Sequence, residues 1–224
     1  MRRRPATSRI AVSARVARLG PEAADRQLLR VIDDGFARAA AVAGPWLVCA
    51  PGCDDCCHGP FPVTVLDADR LRRGLAELER SDPARTRAIG ERAREAVRQL
   101  SDGFPGEIET GRLRPEPEAL DRFFERHARL ACPALDPASG RCELYDWRPV
   151  ACRTYGPPLR FAGIDAAHCP LCFRGAGEQE IERCRTEPDA GGLEQAMLAT
   201  TGVPPGEEWE TLIAFALARS PGDR

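Results

Sequence analysis

CAPGCDDCC, residues 49–57, sets four cysteines in nine positions, and CPALDPASGRCELYDWRPVACRTYG, residues 132–156, adds Cys132, Cys142 and Cys152 with nine residues between neighbours. Neither stretch carries the apolar period of a helix or the alternation of a strand. Both therefore read as irregular loops whose shape is set by their thiols. HCPLC at 168–172 and the later Cys184 complete a set of ten. Seventy-four cysteine-free residues separate the first group from the second. A structure organised by these loops must bring distant segments of the chain together around them.

Working outward, the flanks are helical. Pro21–Gly44 spaces Leu28, Leu29, Ile32 and Phe36 on one face, and Gly44-Pro45 ends it. Phe61–Leu66 reads as a short extended piece before a helix capped by Asp67, with Leu71, Leu75 and Leu78 on one side. Ser81-Asp82-Pro83 is a helix start, with a capping side chain and Pro in the first turn. Its stripe is Ile89, Ala93, Val97 and Leu100, and the Gly- and Pro-bearing stretch 101–117 after it is a loop. Further helices are expected over Pro117–Leu130, Glu178–Arg185, Gly192–Thr200 and Gly206–Arg219, the last burying Trp209, Leu212, Ile213 and Ala216. Alternating strand patterns are nearly absent. The expected class is mainly α: a single irregular helical domain over 21–224, stapled by Cys-rich metal-binding loops, with core motifs at 49–156.

Composition narrows the function. The chain has 224 residues, with 32 basic side chains, all Arg, against 34 acidic ones and a net charge of −2. That balance argues against a nucleic-acid partner. No apolar run approaches the roughly 18 residues of a membrane span, so no membrane partner is expected. Complete absence of Lys and Asn points to a GC-rich, bacterial coding bias. Residues 1–20 hold six Arg and no acid. They lack an apolar core and cleavage site, and read as a flexible basic tail and not as a secretory signal. A cytoplasmic setting follows, in which the thiols stay reduced.

Reduced cysteines at this density point to metal. Loops of the C-x2-C and C-x3-C kind bring two thiolates to one ion, a distant segment supplies the rest, and the ion staples the two. The expected partner is a metal ion, zinc or an iron–sulfur cluster, held by Cys49, Cys53, Cys56, Cys57, Cys132, Cys142, Cys152, Cys169, Cys172 and Cys184. Ten cysteines furnish two four-ligand sites with two to spare. Neighbouring side chains in an extended chain point apart, so Cys56 and Cys57 either divide between core and metal, serve different ions, or share a multinuclear cluster. Tyr145, Tyr155 and Trp147 offer aromatics to shield such a site. Cys49-x3-Cys53-x2-Cys56 also has the spacing of radical S-adenosylmethionine enzymes. Asp55 stands where that family places an aromatic, and the strand–helix repeat of its barrel is missing. His127 lies on an apolar stripe and reads as a packed core residue.

Together the two long motifs resemble the CxxCxxCC family, YkgJ-like cysteine-cluster proteins described as zinc- or iron-chelating domains. Cys53-x2-Cys56-Cys57 matches the end of its first motif. Gly140, Cys142, Tyr145, Arg148, Pro149, Cys152, Arg153 and Tyr155 fall on its second. The family spaces its first two cysteines by two residues, whereas three separate Cys49 from Cys53. HCPLC and Cys184 lie outside the core pattern. The resemblance implies metal chelation, with Arg148 and Arg153 balancing thiolate charge. A related cluster in flagellin lysine-N-methylases keeps an iron–sulfur enzyme modifying a protein side chain in view. A thiol redox or metal-sensing switch is the third reading.

Overall fold

Pro21 and Gly44 bound the first helix as expected. In chain order the elements of the computed structural model are α1 (Pro21–Ala43), β1 (Pro62–Thr64), α2 (Val65–Ser81), α3 (Pro83–Leu100), β2 (Gly106–Glu107), β3 (Arg112–Leu113), α4 (Pro117–Arg126), β4 (Leu135–Asp136), β5 (Arg141–Cys142), α5 (Val150–Thr154), β6 (Leu159–Phe161), β7 (Ile164–Ala166), α6 (Glu178–Arg183), α7 (Leu193–Leu198), β8 (Glu210–Leu212) and α8 (Ile213–Ala218). The structure describes residues 16, 19–50, 52–114, 116–161, 164–201 and 209–218. The basic segment 1–20 lies almost wholly outside these residues, as does part of the helix expected over 206–219. The class is mainly α, with strands only in short antiparallel pairs. Among the described residues, no helix is long and apolar enough to cross a membrane.

The chain divides into two units, each assembled from two stretches: Met1–Cys49 with Val150–Glu208, and Ala50–Pro149 with Trp209–Arg224. In the first, α1 buries Ala24, Leu28, Ile32, Ala39 and Ala43. Fully burying a Leu or Ile contributes roughly 1.5–3 kcal/mol, so this stripe holds the helix against its neighbours. Gly35 lets Pro188 approach, since a Cβ there would lie 2.9 Å from the proline Cα. A second buried cluster gathers Ala43, Cys169, Cys172, Phe173 and Cys184.

In the second unit, Leu71 and Leu75 of α2 and Ile89, Ala93 and Leu100 of α3 are buried. Asp82 caps α3 as expected, its carboxylate accepting the Arg85 N–H at 3.0 Å. The cap of α2 differs from expectation. Thr64 performs it, its hydroxyl accepting the Asp67 N–H at 3.3 Å, and the helix begins at Val65. Asp67 instead lies buried inside the first turn, paired with the equally buried Arg70. Two helices are shorter than their apolar spacing predicts. α4 stops at Arg126, leaving His127 in a turn and Leu130 just past it. Residues 210–212 form a strand paired with 62–64, so α8 starts only at Ile213. Pairing to β1 overrides the helical period there, because the ladder satisfies the same backbone groups. Phe104, Phe123 and Phe215 then meet in the core beside Leu100 and Leu212, with ring centroids 5.8 and 4.7 Å from Phe104.

Candidate metal centre

The two motifs meet in the unit formed by 50–149 and 209–224. Cys57 and Cys132 are joined through the backbone, the Cys132 N–H donating to the Cys57 carbonyl at 2.7 Å. The Gly59 N–H donates to Leu130 O at 2.9 Å, and His58 bridges Ala131, so the first Cys loop runs antiparallel to the entry of the second. From Cys132 the chain turns through the β4–β5 hairpin, which pairs Leu135 with Cys142. Its turn is Asp136-Pro137-Ala138-Ser139-Gly140, closed by the Gly140 N–H on Asp136 O at 2.9 Å. These turn residues set the separation of Cys132 and Cys142.

α3 holds this hairpin from behind. Arg92 Nε donates to Pro133 O at 2.9 Å, and its guanidinium also pairs with Glu143. α2 supports the following segment. Trp147 lies on Gly74, where a Cβ would come within 2.3 Å of the indole Cγ. Only a residue without a side chain lets the two approach this closely.

Four thiols of this unit sense one another. Cys57 hydrogen-bonds to Cys56, and this contact, with Arg148 assisting, lowers the Cys56 thiol to about 7. The same bond pushes Cys57 upward, reinforced by burial and by the charges of Cys56, Cys132 and Cys142. Burial pushes Cys132 up to about 12, and raises Cys142. An apolar recess that includes Phe61, Leu100 and Leu130 borders Cys132. Four mutually repelling thiolates in one place are held apart from full ionisation unless a cation joins them. Sulfur donors of this kind suit zinc and iron–sulfur clusters, so the donor set fits the metals that the sequence calls for. Among the described residues, no three His, Cys, Asp or Glu side chains stand gathered as a finished ligand set. Closure of the shell would accompany binding, as is usual for such sites.

The ten cysteines thus fall into two sets of five. Cys53, Cys56, Cys57, Cys132 and Cys142 belong to this unit, and Cys53 is exposed at its edge. Cys49, Cys152, Cys169, Cys172 and Cys184 belong to the other. Cys152 is half-buried on α5, and Cys49 is exposed. Arg148 acts on Cys56 and Cys142 as expected. Arg153 forks onto the Asp33 carboxylate of α1 at 3.0 and 2.9 Å. Of the aromatics, Tyr145 is 59% exposed with the Arg148 guanidinium stacked 3.6 Å from its ring centre, and Tyr155 is 40% exposed. Sequence reasoning missed Arg92, Gly74 and Arg70, the residues that position the loops from the helices. Their signal was a charge or a glycine on an otherwise ordinary helix.

A family model described as "putative zinc- or iron-chelating domain", CxxCxxCC, matches residues 48–170, slightly over half of the chain. No curated protein and no solved structure matches it.

Proposed function

As the chain belongs to the CxxCxxCC family, we propose that it chelates zinc or an iron–sulfur cluster through Cys56, Cys57, Cys132 and Cys142, with Cys53 at the edge of the same site. The observation that carries this reading is the backbone clamp from Cys132 to Cys57, which sets the two motifs side by side with four thiols perturbing one another's protonation. A bound metal would offset part of the thiolate charge and tie the first Cys loop to the β4–β5 hairpin. The protein's own residues do the rest. Cys57 holds its proton against Cys56, Arg148 favours the Cys56 thiolate, and Arg92 fixes the hairpin that carries Cys132 and Cys142. Deprotonated thiols are the form that binds metal, so loading releases protons.

Metal analysis with an absorption spectrum, on untagged protein purified anaerobically, tests the reading. Zinc without colour or iron with visible cluster bands is the expected result, and Cys142→Ser lowers that content. Protein free of both metals would refute it.

A further inference from the structure

The other unit holds a second set of thiols, and two of them lie beyond residue 170, where the family match ends. Cys169-Pro170-Leu171-Cys172 is a closed turn: the Cys172 N–H donates to Cys169 O at 2.9 Å, with Pro at the second position. Such a turn sets both thiols at one end of a short loop. Phe173 follows with φ 58°, and among the described residues no other non-glycine side chain sits in the left-handed region. A bulky residue there costs on the order of 1–3 kcal/mol and persists only when its surroundings fix it. They do: the Phe173 N–H donates to Trp46 O at 2.9 Å, and its carbonyl accepts the Ala176 N–H at 3.0 Å. The turn is thereby tied to the segment that leads into Cys49.

Cys184 ends α6, its N–H bonded to Glu180 O and Ile181 O, and it packs in one buried cluster with Cys169, Cys172, Phe173 and Ala43. Cys169, Cys172 and Cys184 are each at most 3% exposed. Cys49 comes alongside through Gly156. A Cβ on Gly156 would lie 3.1 Å from Cys49 Sγ, and the Gly156 carbonyl accepts the Cys169 N–H at 3.0 Å. Three buried cysteines can be ordinary small apolar residues. That reading gives no reason to retain a strained backbone directly after a Cys-x2-Cys turn, or a fourth thiol beside it.

We propose that Cys49, Cys169, Cys172 and Cys184 form a second metal site, a closed structural zinc centre in the unit built from 1–49 and 150–208. The four thiols lose their protons to solvent as one zinc ion binds, and the resulting tetrathiolate carries two negative charges. Arg174, whose Nε donates to the Pro170 carbonyl at 3.2 Å, supplies a cation at the turn. Cys169, Cys172 and Cys184 are buried and Cys49 closes the set from the surface; four sulfur ligands leave no open coordination position for water, so this centre holds structure and performs no reaction.

The test counts metal in the reduced full-length chain and in three variants, Cys172→Ala, Cys184→Ala and Cys142→Ser, by elemental analysis and by cobalt(II) titration of the stripped, refolded protein. Alanine preserves the apolar packing of a core cysteine, so a folded Cys172→Ala protein loses metal only if Cys172 is a ligand. The expected result is a loss of one equivalent in Cys172→Ala and in Cys184→Ala. In Cys142→Ser, one equivalent with a tetrathiolate cobalt spectrum remains. Wild-type metal content in either folded alanine variant overturns the proposal. Should both alanine variants misfold, the Cys142→Ser protein decides: no tightly held equivalent in the folded chain overturns it. Loss in Cys142→Ser alone would sink this centre and leave the one proposed above standing. Loss in the alanine variants alone would do the reverse.

Discussion

Among the described residues the largest fully buried side chain belongs to Arg70, at 1% exposure, and its carboxylate partner Asp67 is at 3%. Both lie on α2, three residues apart, and Arg70 also reaches the Arg148 carbonyl at 3.5 Å. Arg70→Met keeps most of the stem's apolar contacts and removes the charge. Asp67 is then left buried without its guanidinium, a situation that costs about 3–5 kcal/mol. At about 2–4 °C per kcal/mol for a chain of this size, the melting temperature should fall by roughly 6–20 °C. The deficit should shrink toward acid pH. A buried carboxyl that has lost a neighbouring cation has its pKa raised, so the variant's penalty is present once the group ionises and is relieved as falling pH protonates it. Replacing both partners by apolar residues, Asp67→Leu with Arg70→Met, removes the buried carboxylate as well and should recover most of the loss, because a buried ion pair is worth little more than a well-packed apolar pair. Thermal unfolding followed by circular dichroism, on wild type and both variants and at two pH values, measures the whole set. An Arg70→Met protein within about 1 kcal/mol of wild type, or a double variant no better than the single one, would refute the argument.

Gly74→Ala should lower stability although Ala is the better helix former by about 1 kcal/mol, because its Cβ meets the Trp147 Cβ and Cγ at 2.7 and 2.3 Å and overpacking costs about 1–3 kcal/mol; a stabilised variant in a urea titration would contradict this. Arg92→Ala loses the bond to Pro133 and the pair with Glu143. It should cost about 1–2 kcal/mol and speed metal loss to a chelator, whereas Arg98→Ala, which breaks the exposed pair with Glu95, should stay within about 0.5 kcal/mol of wild type. In the metal-free, reduced protein, alkylation of Cys56 should rise through a midpoint at about 7 and that of Cys132 only near 12, since the thiolate is the reacting form. Mass spectrometry of labelled peptides reads both, and equal midpoints would show that neither the Cys57 bond to Cys56 nor the burial of Cys132 sets the two thiols apart.

Local punctuation was legible in the chain. Pro21, Gly44 and Asp82-Pro83 mark their helix ends because capping is decided within a few residues. Thr64 and Asp67 were not separable in that way. Both are good caps, and the choice follows from Arg70, which draws Asp67 into the core. Residues 210–212 carry apolar spacing that fits either element, and their strand exists only because Pro62–Thr64, about 150 residues earlier, lies alongside. The cysteines show the same limit most clearly. Spacing along the sequence groups them as four, three and three, whereas the fold regroups them as five and five. The boundary falls between Cys49 and Cys53, at the C-x3-C interval where this chain departs from the C-x2-C spacing of its family. Loops of two and of three residues both bring two thiolates to one ion, so spacing alone carried no mark of the change. What separates Cys49 from Cys53 is the company each keeps in the fold, Cys49 beside Gly156 and Cys53 in the unit of the β4–β5 hairpin, and that depends on segments about 100 residues away in the chain.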